Sequence, residues 1–309
     1  MNYCGLMFHH LHDDQTPENE VIQGSVHLEV LDDIIRDVKK KYSLLNADEF
    51  AYRANQNKLK SDEICLTFDD SLKSQYSIAR QILNNYNLNA FYFVYTGIYS
   101  DKLPLLEIYR LFRNKYFESF DEYYNKFIAL FREQTQTDWV GLLKSYPENY
   151  LEQFPFYSRN EKIFRYIRDV VLKDEEYIRI NNLLIEEYTT IYDLAKNLWF
   201  TEEEIKNLHD DGHQIGLHST NHQTNLGELS DQVQQEEYFN NKSFLENIIG
   251  RNITSIGYPS GSYNRYTLEL MKQIGVEVGF LSYEVEKCQS KMEIPRIDCT
   301  NYLNLMFGK

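Results

Sequence analysis

Apolar residues along the chain follow two different spacings. Short continuous apolar runs predict strands at 4–10, 63–68, 90–95, 213–217, 253–258 and 277–282. Between most of these runs, apolar residues recur every three or four positions, which predicts helices at 28–39, 73–86, 202–209, 231–249 and 265–274. Strands separated by helices of this length are typical of a parallel sheet or barrel. The pattern therefore predicts an α/β fold.

Residues 99–200 interrupt this alternation. The segment carries Leu, Ile, Phe and Tyr at helical spacing, as in "EIYRLFRNKYFESF", and it predicts several helices and no strand. The predicted domains are therefore 1–98 and 201–309, which form the two parts of a barrel, with a helical insertion at 99–200. The insertion is interpreted either as a cap over apolar surface or as a lid or dimerisation element. A dimerisation element would make the protein a homo-oligomer through the insertion.

Charge and composition exclude some classes of partner. The chain has 47 acidic and 32 basic residues, a net charge of −15, which would repel a phosphate backbone, so no nucleic-acid partner is expected. No apolar run is long enough to span a membrane, and the N-terminal stretch lacks the features of a signal peptide. The four cysteines form no C-x-x-C pair and are interpreted as buried thiols. Together these features predict a cytoplasmic protein.

Two adjacent carboxylates follow the second predicted strand, in "LTFDDS". Asp69 and Asp70 cannot both face the core of a strand, because neighbouring side chains point to opposite faces. At the C-terminal end of a strand in a parallel barrel, both can reach the open face where catalytic groups collect. The alternative is that they cap the helix predicted at 73–86.

Two histidines lie four residues apart in "GLHSTNH". On a helical turn, His218 and His222 would share one face and could bind a single metal ion. Together with one carboxylate they would supply three protein ligands and leave a position for water, as in catalytic zinc sites. The alternative is chance, because a chain with 8 histidines can contain such a pair without function.

A loop with fixed backbone geometry follows the strand predicted at 253–258. Its sequence, "GYPSGSYN" at 257–264, combines one proline with two glycines and exposes backbone N–H groups. Such groups can stabilise an oxyanion. The alternative is an ordinary Pro-Gly turn.

Taken together, the three motifs are more specific than any one of them. "TFDD", "HSTNH" and "YPSGSYN" follow successive strands, and this arrangement resembles the polysaccharide deacetylase family with the NodB homology domain, carbohydrate esterase family 4. "LHDDGHQIGLHSTNH" and "IPRID" also resemble segments of that family. The resemblance covers about 1–98 and 200–298. It implies a distorted (β/α) barrel of the NodB type, here with a large all-helical insertion, and the metal-dependent removal of an N-acetyl group from an amino sugar.

The resemblance also implies roles for individual residues. Asp69 would be the general base, and the ligands of one divalent metal, with Zn²⁺ as the leading candidate, would be Asp70, His218 and His222. A backbone N–H of the 258–262 loop, which contains Ser260, would stabilise the oxyanion. Walls for the sugar ring would come from Tyr258 and Tyr263.

Three departures from the family pattern affect these roles. Ser71 replaces the usual glycine after the aspartate pair, and Gly257 replaces the arginine that orients the base. Arg296 is predicted to supply the missing charge from a neighbouring strand. The late "L-x-H" motif, which provides the acid histidine, is absent. The acid or a substrate contact is therefore predicted to come from His10 or His12 in "FHHLHDD".

The function predicted from the sequence is that of a metal-dependent N-deacetylase in surface polysaccharide biosynthesis. Its substrate would be an acetamido-sugar precursor, either a sugar nucleotide or a lipid-linked glycan. Three alternatives remain open. The first is another metal amidohydrolase, such as a deformylase or a cyclic-amide hydrolase. The second is a catalytically inactive sugar-binding module. The third, a non-haem iron oxygenase, fits the paired aspartates poorly.

Overall fold

The chain forms two compact units. The computed structural model describes residues 3–16, 22, 24–100, 102–152 and 157–308. One unit comprises Met1–Pro104 and Asn197–Lys309, and the other comprises Leu105–Lys196. Both ends of the predicted insertion, 99–104 and 197–200, belong to the first unit. The Tyr99 hydroxyl donates to the Phe200 carbonyl at 2.9 Å, and the Phe200 N–H donates to the Ser71 carbonyl at 2.9 Å.

The first unit contains all ten strands among the described residues. The strands are β1 Gly5–Phe8, β2 Leu11–His12, β3 Val26–His27, β4 Ser43–Leu44, β5 Glu63–Asp69, β6 Phe91–Val94, β7 Gln214–Leu217, β8 Ser255–Gly257, β9 Val278–Phe280 and β10 Arg296–Asp298. The α-helices of this unit are α1 Leu28–Lys41, α2 Ala47–Asn55, α3 Arg80–Asn85, α10 Glu202–Asp210, α11 Asp231–Ile249, α12 Arg265–Gln273 and α13 Cys299–Phe307. A π-helical turn, Gln75–Ala79, precedes α3. The sequence pattern did not predict β2, β3, β4, α2 or α13, whereas β10 contains Arg296, which was expected on a strand.

The strands form a nearly closed parallel barrel. The sheet order is β10-β1-β5-β6-β7-β8-β9, with β4 paired to β5, and all of these pairings are parallel. The gap between β9 and β10 is narrowed by a parallel bridge between Phe280 and Ile294. The C-terminal ends of the strands therefore meet around one opening, where barrel enzymes place their active sites.

Alternation along the strands produces two separate apolar clusters. The inner cluster contains Cys65, Phe91, Phe93, Val278 and Phe280, and α2 packs against it through Phe50. The Phe50 ring stacks on the Phe280 ring with centroids 5.9 Å apart, so this helix packs against the inner cluster. The outer cluster joins the opposite faces of the strands to the surrounding helices; it includes Leu6, Phe8, Leu66, Phe68, Tyr92, Ile34, Ile35, Leu208 and Leu245. Because both faces are covered, these strands read as continuous apolar runs.

The described residues of the second unit form helices joined by loops, with no strand among them. Its α-helices are α4 Leu105–Tyr116, α5 Phe120–Thr135, α6 Trp139–Ser145, α7 Arg159–Tyr166, α8 Asp174–Glu186 and α9 Ile191–Ala195. Aromatic rings form its centre. The centroid of the Phe164 ring lies 4.9 Å from that of Phe127 and 5.6 Å from that of Tyr123, and both contacts are edge-to-face. Such pairs add to the hydrophobic stabilisation of a small helical core.

Among the described residues, no helix combines the length and the apolar character that crossing a membrane requires.

Candidate functional site

The aspartate pair lies at the C-terminal end of β5, on a strained turn. Asp70 and Ser71 both adopt left-handed backbone conformations, with φ of 76° and 59°. Non-glycine residues in this region cost about 1–3 kcal/mol each, and such strain concentrates at functional sites. Glycine would avoid this cost at position 71, where the family pattern has it. Asp69 continues the inward-facing side of β5 and is 2% exposed.

Arg296 binds the carboxylate of Asp69 in the barrel interior. Its Nη1 and Nη2 donate to Oδ1 and Oδ2 of Asp69 at 2.6 Å and 2.7 Å, and Nη1 also donates to the Thr67 hydroxyl at 3.0 Å. The arginine is fully buried. Burial raises the pKa of the Asp69 carboxyl, but the charge and hydrogen bonds of Arg296 outweigh this effect, so the pKa lies below its usual value.

Arg296 does not lie on a strand adjacent to Asp69, because β1 separates β10 from β5. Its side chain crosses β1 at Gly5, which is its partner in the strand register. A Cβ atom at Gly5 would lie 2.9 Å from Cγ of Arg296, so only glycine leaves this path open. Gly257, where the family pattern has its arginine, cannot accommodate that side chain, because a Cβ there would lie 2.7 Å from the Phe93 ring.

The two histidines occupy a loop and not the helical turn expected from their spacing. His218 directly follows β7, while Ser219 and His222 have left-handed φ values of 60° and 52°. The Ser219 hydroxyl accepts the His222 N–H at 3.1 Å, which closes the loop on itself. His218 and His222 still face each other, with ring centroids 4.8 Å apart.

Two buried side chains of α11 hold this loop. The Asn241 amide accepts the His218 N–H at 3.1 Å and donates to the Val94 carbonyl at 2.9 Å. One turn earlier, Glu237 is 5% exposed, and its Oε2 accepts the N–H groups of Thr220 and Asn221 at 3.0 Å and 2.8 Å. Sequence reasoning missed both residues, since nothing in the motif indicates a contact with the following helix.

The donor atoms of Asp70, His218 and His222 fit a metal ion. They lie within 4.8 Å of one another, and Oδ1 of Asp70 is 3.4 Å from Nε2 of His218 and 3.1 Å from Nε2 of His222. Ligands about 2.1 Å from a tetrahedral ion are about 3.4 Å apart. His218 Nδ1 donates to the Gly257 carbonyl at 2.7 Å. In the neutral ring, Nε2 therefore presents a lone pair to the carboxylate, an arrangement that a cation between them stabilises.

Besides His218 and His222, a third histidine, His9, lies close to the carboxylate of Asp70. Its Nε2 is 3.9 Å from Oδ2 of Asp70, and its Nδ1 is 3.8 Å from Oδ2 of Asp298. Residues 5, 7 and 9 share the inward side of β1 and its extension, whereas His10 is turned into the protein and is 5% exposed. His12 lies on β2, where its Nδ1 is 2.8 Å from the Ser25 hydroxyl. These positions favour His9, and not His10 or His12, beside the metal ligands.

The loop after β8 places its aromatic residues differently from the prediction. Tyr258 is fully buried in the outer cluster, because it lies on the outward side of β8, so the structure does not support a sugar contact for it. Tyr263 is partly exposed, stacks on Tyr258 at 5.1 Å and donates to Glu293 at 2.8 Å. Ser260 is exposed, with a left-handed φ of 52°. An aromatic residue that the sequence reasoning missed, Tyr95, packs 5.5 Å from the His222 ring.

Known proteins resemble this chain in sequence and in fold. A family model described as polysaccharide deacetylase matches residues 175–279, which include both histidines of the donor set but neither aspartate. The YxkH protein of Bacillus subtilis (strain 168), named as a polysaccharide deacetylase, is 32% identical over 94 residues. That match covers 29% of this chain and 33% of YxkH, so the chain matches about a third of that relative's length.

Two solved structures share the fold over almost the whole chain. The Streptococcus pyogenes deacetylase PplD, in complex with acetate, superposes with a TM-score of 0.58 at 18% identity, covering 98% of this chain and 97% of PplD. IcaB from Ammonifex degensii gives a TM-score of 0.56 at 11% identity, covering 98% and 94%. At these identities the likeness establishes the fold, a NodB-type barrel with added helices. Together with the sequence matches, it makes the chain similar in both sequence and fold to proteins described as polysaccharide deacetylases.

Proposed function

We propose that the protein is a metal-dependent N-deacetylase that removes the acetyl group of an acetamido-sugar precursor. The precursor would be a sugar nucleotide or a lipid-linked glycan used in surface polysaccharide biosynthesis. One observation carries the proposal: the donor set of Asp70, His218 and His222 lies beside Asp69, a separate carboxylate that Arg296 keeps ionised. When bound there, a divalent ion such as Zn²⁺ supplies Lewis acidity to the amide carbonyl and to the attacking water.

Asp69 acts as the general base in this proposal. Its Oδ2 lies 4.0 Å from Nε2 of His218, next to the donor set without belonging to it. The bidentate contact with Arg296 fixes the carboxylate and keeps it deprotonated, so that it can accept a proton from the water that attacks the acetyl carbon.

The N–H of Ser260 is assigned to the oxyanion of the tetrahedral intermediate. In the 258–262 loop, the N–H groups of Tyr258, Gly261 and Ser262 donate to carbonyl groups of the protein at 3.0, 2.9 and 2.9 Å. Pro259 has no N–H, which leaves that of Ser260. Ser260 has left-handed backbone angles inside a short helical turn. Its N–H is the one assigned to donate to the oxyanion.

His9 is assigned to protonate the leaving amine. An amine leaves an amide poorly unless it receives a proton as the C–N bond breaks, and histidine is the common donor. His9 lies between Asp70 and Asp298, and Asp298 is placed to orient the imidazole through Nδ1. This assignment replaces His10 and His12 in the sequence-based prediction.

Compartment and assembly also belong to the proposal. All four cysteines, Cys4, Cys65, Cys288 and Cys299, are free thiols, which suits the reducing cytoplasm. Cytoplasmic substrates would be precursors and not finished wall polymer. A lid or dimerisation role for the helical unit remains a prediction.

The test combines metal analysis with acetate release. The purified protein, Asp70→Ala and His222→Ala should be compared by elemental analysis, with loss of the ion expected in both variants. Acetate release should then be measured from an N-acetylated sugar nucleotide and from an acetylated amino-sugar polymer. Faster release from the nucleotide is expected. Full metal occupancy in both variants contradicts the ligand set. Metal binding without acetate release from either substrate favours a sugar-binding module.

A further inference from the structure

Two guanidinium groups of the helical unit are half buried without a carboxylate partner among the described residues. Arg113 on α4 lies over the Phe120 ring at 5.6 Å, and its Nε makes one long hydrogen bond, 3.4 Å, to the Asn114 side chain. Arg165 on α7 lies over the Tyr157 ring at 3.9 Å. Arginine side chains removed from water are normally paired with an anion, because desolvating an unpaired charge is costly.

Two carboxylates of the unit pair with other arginines, and Glu161, one turn before Arg165, accepts the Ser158 N–H at 2.8 Å. Glu107 accepts a hydrogen bond from Arg110 at 2.6 Å, and Asp169 pairs with Arg168. Unpaired guanidinium groups are unexpected in a chain with 47 acidic and 32 basic residues. Burial lowers the pKa of Arg113, and the like charges of Arg110 and Arg165 lower it further. Among the described residues, no carboxylate lies within ion-pair distance of either guanidinium.

Aromatic packing brings the two arginines to one place. Phe120, which lies under Arg113, makes an edge-to-face contact of 5.6 Å with Phe164, the residue before Arg165. A third donor lies beside them, because Nδ2 of Asn114 is buried and has no hydrogen-bond partner among the described residues. Each guanidinium offers five N–H donors, and the Asn114 amide adds another, so several donors are available to one ligand here.

We propose that Arg113, Arg165 and the Asn114 amide bind a phosphate group of a ligand. Two guanidinium forks match the several oxygen atoms and the near-double charge of a phosphate better than they match one carboxylate. The rings of Phe120 and Tyr157 hold the forks in place and reduce the entropy lost on binding. The phosphate site lies within the helical unit, and it does not depend on the hydrolase function.

Calorimetric titration of the purified protein with inorganic phosphate tests the site. Because phosphate can also bind a metal ion, the titration should be repeated on Asp70→Ala, in which phosphate binding is expected to persist. Arg113→Ala and Arg165→Ala should each weaken binding about 10-fold or more. Arg113→Lys keeps the charge without the fork and should also weaken binding. Arg132→Ala removes an exposed charge from the same unit and should have no effect.

Three results would overturn the proposal. The first is phosphate binding that disappears in Asp70→Ala. The second is an equal loss in Arg132→Ala, which would indicate a general charge effect. The third is acetate binding as tight as phosphate binding, which would identify a carboxylate site. Circular dichroism of each variant separates a lost site from a lost fold, and Arg113→Lys remains interpretable if Arg113→Ala unfolds.

Discussion

Arg296 and Asp69 form a bidentate ion pair across an intervening strand, with N–O distances of 2.6 Å and 2.7 Å. The pair is closed off from solvent, and the guanidinium also donates from Nε to the Leu281 carbonyl at 2.6 Å. Leu281 follows β9, so one side chain links the two edges of the barrel. Arg296 therefore helps to close the barrel and also holds the Asp69 carboxylate in place.

This double role predicts a marked non-additivity. Arg296→Met leaves the Asp69 carboxylate buried without its partner, which costs roughly 3–5 kcal/mol of unfolding free energy. Adding Asp69→Asn removes this unpaired negative charge, so the double variant should be more stable than Arg296→Met alone. Urea denaturation of the two single variants and the double variant measures this coupling. Strictly additive losses would contradict a direct interaction.

Asp69→Asn should separate catalysis from metal binding. The amide keeps the shape of the side chain but cannot accept the water proton, so kcat should fall by about 10²–10⁴. The metal content should stay at the wild-type level, because Asp69 is outside the donor set. Elemental analysis and acetate release on the same preparation provide the check. A variant that loses its metal would instead make Asp69 a ligand.

Glu237 should control how tightly the metal is held. Its carboxylate accepts two N–H groups of the 218–222 loop and the Asn221 side chain. Glu237→Gln replaces one acceptor oxygen with a donor and should release the loop, weakening metal affinity about 10- to 100-fold. Competition with a chromophoric chelator gives the affinity. Glu236→Gln, at an exposed position of the same helix, is the matched control and should bind metal like the wild type. Equal affinities in all three proteins would rule out the positioning role.

His9 should matter for amides and much less for activated esters. A phenolate leaves an aryl acetate without a proton, whereas an amine leaves an amide only when protonated. His9→Ala should therefore lower kcat for the acetamido sugar by about 10²–10⁴ and that for 4-nitrophenyl acetate only a few-fold. His12→Gln serves as the comparison. Similar losses on both substrates would point to a structural effect and not to proton donation.

Strand parity explains which parts of the site the sequence could reveal. The motif "TFDD" ends a buried strand, so the place of Asp69 and Asp70 at the barrel opening followed from the pattern. In the structure, Gly5, Met7 and His9 share one face of β1 and its extension, whereas the sequence-based prediction had named His10 or His12. Strand parity also assigns Tyr258 to the outer face, where the residue packs against helices.

Other parts of the site depend on contacts that the local pattern does not contain. The sequence spacing of His218 and His222 is the same in a loop as on a helix. Which conformation forms depends on Glu237 and Asn241, two residues of a later helix that accept N–H groups of this segment. The route of Arg296 past Gly5 requires the order of three strands, which the sequence alone did not supply.

Stability in acid should depend on His213, which directly precedes β7. The residue is 1% exposed, its Nδ1 accepts the Ala90 N–H at 3.1 Å, and its ring meets the Tyr92 ring edge-on. Burial lowers the pKa of His213 from 6.5 to about 4; the carboxylate of Asp211 opposes this shift and the charge of Arg80 adds to it. A second proton on Nδ1 would also break the bond to Ala90.

Because the folded-state pKa is below the unfolded one, the neutral histidine stabilises the fold fully above about pH 6.5, and this contribution disappears as the pH falls towards 4. The loss amounts to roughly 3 kcal/mol. His213→Asn keeps an acceptor for the Ala90 N–H and has no charge to gain. Urea denaturation between pH 7 and 4 should therefore show a shallower decline for His213→Asn than for the wild type. His209→Asn, at a less buried position, should change the decline less. Parallel declines in the wild type and His213→Asn would show that His213 is already protonated at neutral pH or that its environment opens before it titrates.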